Sequence, residues 1–270
     1  MDSITTLGAG LAVLGSKEIL TKLLGPTADY IGEETRNLVA KCNINLDNIF
    51  QKAVKKLGKH FDEHGTVNPR ILKNIYDEGR FCEDELTAEY YAGILASSRS
   101  NNGRDDRGVS LLALVKDLSF YQLRFHYLAY SIIYNLFKGQ ECNIGTPDSK
   151  KLGVFIPYNV FETAMEFTET EKPPIILAHI LFGLGKHDLI SDFISGPPEH
   201  LRQLVPATDG GIILSPTVPG AELFLWCLGY PGSAGVELLE IDTISAIECI
   251  KIEDGAKSTE DMRRALPPTK

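Results

Sequence analysis

Apolar residues recur at intervals of three and four through most of the chain, which is the spacing of amphipathic α-helices. Before residue 100 this pattern predicts a helix from Thr27 to Gly65, with a soft spot or break at Asn43–Asn45, and a second from Pro69 to Gly79. A third begins at Glu83, where carboxylates favour a helix N-terminus, and carries apolar residues to Leu95. The polar run 97–108 contains no apolar residue. It predicts an exposed loop and a domain boundary.

The second half of the chain begins with four predicted helices. They are Val109–Leu118, Leu123–Tyr134, Pro157–Phe167 and Pro174–Leu184. The last two have a proline near the start, where the missing N–H costs least.

A strand–turn–strand pattern follows these helices. Leu201–Val205 is predicted as one strand and Ile212–Leu214 as the return strand, joined by the turn residues Asp209-Gly210-Gly211. A last helix, Ala221–Leu228, follows Pro219. Helices followed by a β wing form the winged variant of the helix-turn-helix. We therefore predict a mainly α fold, with a helical N-terminal half and a winged-helix-like C-terminal half that carries a small β wing.

The predicted organisation has three parts. They are a helical domain over 1–100, a winged-helix-like domain over 109–230, and a small β element with a disordered tail over 231–270. The β element pairs Val236–Ile241 with Ala246–Ile252. Disorder is expected from Asp254, where the sequence becomes polar and ends in Pro-Pro-Thr-Lys.

The first 24 residues contain an apolar segment. No charged residue occurs from Ser3 to Ser16, but a helix of that length cannot cross a hydrocarbon layer of roughly 30 Å. Leu7, Leu11 and Leu14 recur at helical spacing, which favours packing on another helix or self-association through these leucines. A helix lying on a membrane surface is the alternative.

Composition and charge limit the classes of partner. The 270 residues are 43% hydrophobic and 23% charged, which is enough for one large domain or two ordinary ones. The net charge of −9 opposes binding to nucleic acid or anionic membranes, because both need basic surface. The densest basic cluster is Lys52, Lys55, Lys56 and Lys59. We interpret it as a solvated helix face. Protein partners or self-association are predicted, and membrane contact only through residues 1–24.

The cysteines indicate the compartment. Cys42, Cys82, Cys142, Cys227 and Cys249 are scattered, and no C-x-x-C pair occurs. Neither a zinc ribbon nor a disulfide framework is therefore predicted. Free thiols indicate a reducing compartment. No basic flank precedes the apolar N-terminal segment and no clear cleavage site follows it, so we predict a cytoplasmic protein.

No catalytic signature stands out. His60, Glu63 and His64 match the H-x-x-E-H pattern of some zinc peptidases. Gly65 follows at once, Lys59 adds positive charge and no third ligand is identifiable, so a solvated helix end is favoured. His126 and His179 are predicted as hydrogen-bonded core residues. The chain has no P-loop, no G-x-S-x-G and no G-x-G-x-x-G after a strand. We predict no enzyme activity, no catalytic residue, no metal and no cofactor.

The predicted recognition helix is unsuited to DNA. The stretch 174–185 contains neither Arg nor Lys, the residue types that contact phosphates and base edges. The wing turn adds the acidic Asp209. An apolar helix in this position is expected to be buried or to contact another protein, and DNA readout is the less favoured alternative.

Six short stretches of the sequence form a recognisable set. They are Gly25-Pro26-Thr27-Ala28, Tyr30-Ile31-Gly32-Glu33, Pro69-Arg70-Ile71-Leu72, Glu83-Asp84-Glu85-Leu86, the run from Tyr91 to Ser97, and Ile213-Leu214-Ser215-Pro216. In these stretches the chain resembles the abortive-infection alpha family of bacterial phage-resistance proteins. Tyr91 stands where the family tends to have a tryptophan. The resemblance implies phage defence as the biological setting and brings no active-site residues with it.

Overall fold

The structure is a computed structural model that describes residues 33–265, with side chains from Ala40 onward except that of Asp148. The predicted interaction residues Leu7, Leu11 and Leu14, with the rest of residues 1–24, lie outside the described part of the chain. No helix within residues 33–265 combines the length and the apolarity needed to cross a membrane.

The fold is mainly helical, with one small antiparallel sheet, as the sequence predicts. The α-helices are α1 (Glu33–Leu57), α2 (Pro69–Asn74), α3 (Glu85–Ser97), α4 (Gly108–Asp117), α5 (Phe120–Phe137), α6 (Tyr158–Met165), α7 (Pro173–Lys186), α8 (Pro198–Leu201), α9 (Val218–Cys227) and α10 (Thr259–Arg264). A π-helical turn, Ile75–Gly79, continues α2, and the 3₁₀ turns are Gly58–Asp62, Pro147–Leu152 and Gly235–Glu240. The strands are β1 (Val154–Pro157), β2 (Ile190–Gly196), β3 (Gly211–Pro216) and β4 (Lys257–Ser258), in the sheet order β2-β3-β1-β4.

Side-chain caps fix where the central helices begin. The carboxylate of Asp84 accepts the N–H of Thr87 at 2.7 Å, before the first turn of α3. Ser119 and Gln122 form a reciprocal capping box at the start of α5. These contacts satisfy N–H groups that the first turn of a helix leaves without a partner.

The core passes through both predicted halves of the chain. Its buried apolar residues run from Leu46 in α1 to Ile250 near the C-terminus. α5 is buried on nearly every side, as expected for a central helix that is mostly apolar, and it also buries the polar side chains of Gln122, Arg124 and His126. Helix α3 packs between α1 and α9. At Gly93 of α3 the approach to α9 is so close that a Cβ atom would collide with the Cys227 carbonyl.

The sheet differs from the predicted wing in one strand. Ile212–Leu214 lies within β3 as predicted, but Leu201–Val205 is not a strand, and the partner of β3 is β2. Leu201 closes the short helix α8, and the N–H of Val205 donates to its carbonyl at 3.0 Å. Both side chains are buried, and their spacing of four residues is helical. The four-residue strand β1, on the other side of β3, was not predicted.

The C-terminal part also differs from the prediction. Gly235–Glu240 is a 3₁₀ turn, and residues 246–252 form no strand, so the predicted pair of Val236–Ile241 with Ala246–Ile252 is wrong. In place of the backbone pairing of two strands, tyrosine side chains form hydrogen bonds with the backbone there. Tyr134 Oη donates to the carbonyl of Ile241, and Tyr127 Oη accepts the N–H of Ile247.

The predicted disorder from Asp254 is wrong as far as residue 265. Lys257 and Ser258 pair with β1 as β4, and α10 follows directly. Ser258 caps α10 by accepting the N–H of Asp261, and Met262 is buried. A capping serine with acidic residues in the first turn stabilises this short helix.

Candidate interaction surface

Helix α7 has two sides of different exposure. Two prolines open it, and Leu177, Ile180, Leu181 and Leu184 are buried on its inner side. That side packs on α5 and β2. The predicted helix is thus confirmed, and its inner side is explained by ordinary helical periodicity.

The opposite side of α7 exposes large apolar side chains. Ile175 is 65% exposed and Phe182 is 71% exposed. The two lie seven residues apart, which is two helical turns, and Ala178 and His179 are exposed between them. We call these four residues the outer face of α7.

A β-bulge in β2 extends this apolar surface. The pairing of β2 with β3 shifts register between Ser191 and Ile194, and Asp192 adopts a left-handed φ of 47°. Phe193 then places its ring 5.6 Å from that of Phe182, edge to face. Gly185 lies beneath it, and a Cβ there would lie 2.5 Å from the Phe193 ring, so a larger residue would displace the ring. Bulges of this kind redirect side chains and often occur beside functional sites.

Charged residues surround the outer face without crossing it. Lys172 and Lys186 lie at the two ends of α7, and Asp188 and Asp192 lie on the side of β2. All four are exposed, and none makes an ion pair with another described residue. Such a rim leaves the surface open to a partner that is itself apolar.

His179 lies on the exposed side, so its prediction as a core residue is wrong. Its Nε2 is 3.0 Å from Oγ of Ser119, the residue that caps α5. His126 is fully buried and hydrogen-bonded, as predicted. Both histidines have apolar neighbours in the sequence, which is why both were predicted to be buried. His179, however, lies on the outer face of its helix.

The H-x-x-E-H residues do not form a metal site. His60 belongs to a 3₁₀ turn, so it does not share an α-helical face with His64. Nδ1 of His60 lies 2.8 Å from Oε1 of Glu63, and both side chains are largely exposed. In the described part of the chain, no three His, Cys, Asp or Glu residues are grouped to hold a metal ion.

Two of the thiols, those of Cys82 and Cys227, are too strongly buried to act as nucleophiles. All five cysteines are free. Burial raises the pKa of both Cys82 and Cys227 to about 12. Because the reactive species is the thiolate, these two side chains are inert at neutral pH.

The basic cluster predicted as a solvated face is solvated only in part: Lys55 and Lys59 are exposed, but Lys52 and Lys56 are not. The side chains of Lys52 and Lys56 are only 19% and 13% exposed. Lys52 lies 2.8 Å from Glu85 and 2.6 Å from Glu89, and Lys56 lies 2.7 Å from Glu89. Lysines four apart on α1 thus face glutamates four apart on α3, a matched spacing visible in the sequence.

Lys52 and Glu89 stay charged at neutral pH. Burial favours the neutral form of Lys52, but hydrogen bonds to Glu85 and Glu89 outweigh it and raise the pKa. Burial also favours neutral Glu89, but hydrogen bonds from Lys52 and Lys56 outweigh it and lower the pKa. Beside the pairs lies a cavity of about 830 Å³.

Comparison with models of known protein families, with curated proteins and with solved structures finds no significant match to this chain.

Proposed function

We propose that this chain is a cytoplasmic component of bacterial defence against phage, acting through contacts with protein, above all with copies of itself. The observation that carries the interaction is the outer face of α7, where Ile175 and Phe182 are exposed together. Grouped large apolar side chains on a surface mark contact sites. The phage-defence setting rests on the family resemblance described above.

A winged-helix arrangement of residues 120–216 is the fold we propose for the second half. The order of α5, β1, α6, α7, β2 and β3 supports it, as does the central position of β3 between β1 and β2. In this arrangement α7 occupies the place of the recognition helix and residues 197–210 the place of the wing.

The chemistry of α7 favours a protein over DNA. From Pro173 to Gly185 the helix has no Arg, Lys, Asn or Gln to contact bases or phosphates. The element order nevertheless makes a DNA-binding regulator the second candidate. A gel shift with genomic fragments that weakens steeply with salt would support it. Absence of any shift at low salt would exclude it.

The partner we propose is the N-terminal segment of a second copy. Residues 3–16 are uncharged, with Leu7, Leu11 and Leu14 at helical spacing, and so match an apolar surface. Lys17, Glu18 and Lys22 follow this segment in the sequence. Charges of both signs therefore follow the segment, as they do in the rim formed by Lys172, Lys186, Asp188 and Asp192 around the outer face of α7.

Light scattering tests this assembly directly. We expect the full chain to be oligomeric, and both deletion of residues 1–24 and Phe182→Asp to reduce the mass to that of a monomer. Leu204→Asp is the matched control, since Leu204 is 42% exposed outside α7, and it should leave the mass unchanged. A mass that neither change affects contradicts the proposal.

Plaque assays test the biological setting. Cells that carry the gene should resist phage, and Phe182→Asp should abolish the resistance while Leu204→Asp preserves it. If the protective role involves membrane instead, the segment 1–24 should carry the chain onto liposomes in co-sedimentation and cause dye release.

A further inference from the structure

A second pair of large apolar side chains is exposed away from α7. Among the side chains that the structure describes, four large apolar ones are at least 61% exposed, and two of them belong to the outer face of α7. The other two are Ile44 in α1, at 67%, and Phe81, at 61%. Because exposed apolar side chains mark a contact site only when they are grouped, the relative position of Ile44 and Phe81 decides what they mean.

Ile44 and Phe81 lie at one junction between α1 and the turn that precedes α3. Two side-chain contacts form this junction, and they are Asn45 Nδ2 donating to the carbonyl of Arg80 at 3.0 Å and Lys41 Nζ at 3.1 Å from Oε1 of Glu83. In the sequence, Ile44 lies between the two contacting residues of α1, and Phe81 between the two of the turn. The two apolar residues therefore flank the same contacts. We call them the junction surface.

The chain itself contains an apolar segment that precedes this surface in the sequence. Residues 3–16 are uncharged. Pro26 disfavours helix at Gly25, so a helix predicted for the first residues of the chain ends there. The next helix is predicted to begin at Thr27, and the structure describes it as α1 from Glu33 onward. A loop this short joins helices that lie antiparallel to each other. We therefore expect the first helix to run back along α1.

Distances along the two helices bring the leucines of this segment to the junction surface. Leu7 lies 17 residues before Leu24, the last residue before the loop, and Ile44 lies 17 residues after Thr27. At 1.5 Å per residue, both distances are about 26 Å. Leu7 therefore comes level with Ile44, and Leu11 falls one helical turn nearer the loop. Leucines at this spacing form an apolar stripe that packs on the exposed apolar residues of a neighbouring helix.

We propose that residues 3–16 pack on the junction surface of their own chain and form an antiparallel helical hairpin with α1. The same segment then has two binding surfaces, the junction surface of its own chain and the outer face of α7 in a second copy. Because it cannot occupy both at once, the intramolecular contact opposes assembly. Only this last consequence rests on the proposed function.

Photo-cross-linking tests the intramolecular contact independently of assembly. The full chain carries p-benzoylphenylalanine in place of Phe81, together with Phe182→Asp, which removes the apolar centre of the α7 surface. An equal mixture of isotopically heavy and light chains is irradiated and digested. We expect cross-links from position 81 to residues 3–16, and each should join peptides of the same isotope. Cross-links that join heavy to light peptides would assign the surface to a second copy and overturn the proposal, as would the absence of cross-links to this segment.

Val54 provides the matched control for cross-linking. It is another exposed apolar residue of α1, at 41%, but it lies 27 residues after Thr27, whereas Met1 lies only 23 residues before Leu24. The hairpin therefore ends before it reaches Val54. The same photoreactive residue at position 54 should give at least about fivefold fewer cross-links to residues 3–16. Equal yields from positions 54 and 81 would show unspecific contact and overturn the proposal.

Light scattering over a range of protein concentrations tests the opposition to assembly. Ile44→Asp should release the segment, so the chain should assemble at a concentration at least about threefold lower than the parent does. This effect is opposite in sign to that of Phe182→Asp. Val54→Asp should leave the concentration of assembly unchanged. An unchanged or higher concentration in Ile44→Asp contradicts the opposition. If no variant assembles at all, the proposed function fails, and the cross-links still decide whether the hairpin forms.

Discussion

The hydroxyl of Tyr90 lies 2.6 Å from Nδ1 of His126, and both side chains are fully buried. Nε2 of the same ring lies 3.0 Å from the carbonyl oxygen of Gly220. Since a carbonyl only accepts, Nε2 carries the proton and Nδ1 accepts from the tyrosine. One neutral imidazole therefore connects α3, α5 and α9.

This histidine should make stability depend on pH. Burial lowers the pKa of His126 to about 4 from its usual 6.5. Between about pH 6.5 and 4 this imidazole is therefore protonated in the unfolded chain but neutral in the folded chain. As a result, the free energy of unfolding falls as the pH drops through this range. The largest decrease in the free energy of unfolding expected from this one histidine is about 3 kcal/mol. Urea unfolding across that range measures it.

Two substitutions separate His126 from the other titrating groups. His126→Gln should flatten the pH dependence, because glutamine cannot take up the proton. His64→Gln is the control for the loss of a histidine, because His64 is exposed, and the drop in stability between about pH 6.5 and 4 should persist in it. A parent-like pH profile in His126→Gln would contradict the assignment.

Arg124 should be a strong determinant of stability. It is 6% exposed in α5, and its Nε donates to the carbonyl of Ala164 in α6 at 2.5 Å. Its Nη2 lies 2.5 Å from Oε2 of Glu166 without hydrogen-bond geometry, so that contact is an ion pair only. Arg124→Met leaves the Ala164 carbonyl without this partner. We expect a loss of about 2–3 kcal/mol, measured by chemical denaturation.

The control for Arg124 is another arginine that donates to a carbonyl. Nε of Arg263 donates to the carbonyl of Leu204 at 2.9 Å, but at an exposed position. Arg263→Met should cost less than about 1 kcal/mol, because water replaces the lost bond. If Arg124→Met and Arg263→Met lowered the free energy of unfolding equally, burial would not determine the cost of losing such a hydrogen bond.

Glu89 should matter far more than other paired glutamates. Its carboxylate contacts both Lys52 and Lys56, and its side chain is 17% exposed. Glu89→Ala removes the carboxylate that pairs with both Lys52 and Lys56, whose ammonium groups are largely shielded from water. We expect the free energy of unfolding to fall by about 3 kcal/mol. Glu83→Ala breaks the exposed pair with Lys41 and should cost less than about 1 kcal/mol. Thermal and urea unfolding of Glu89→Ala and Glu83→Ala measure this difference in stability.

Periodicity was sufficient to predict the longer helices, because the apolar stripe of a helix depends only on spacing within one segment; it missed the short helices α8 and α10. The pattern of α7 and the burial of His126 within α5 follow from spacing along one segment. The outer face of α7 could be suspected from its missing basic residues, but the sequence did not show which side is exposed. His179 was misplaced for that reason.

The missed features depend on distant partners. Strand β1 has four residues and is almost entirely buried, so it shows no alternation of polar and apolar positions. The burial of Lys52 and Lys56 depends on α1 packing against α3, more than thirty residues later. The tyrosine hydroxyls that replace a β ladder at Ile241 and Ile247 are still more remote in sequence, at 107 and 120 residues.

The contact at Gly93 has a consequence for synthesis of the chain. The backbone of α3 there touches Cys227 of α9, and Ser97 Oγ donates to the carbonyl of Trp226 at 3.0 Å. On the ribosome, α3 emerges long before α9 exists. The apolar surface of α3 that contacts α9 therefore stays exposed to solvent until α9 has been synthesised. A premature stop before α9 would release a chain with this surface exposed, which chaperones or proteases recognise.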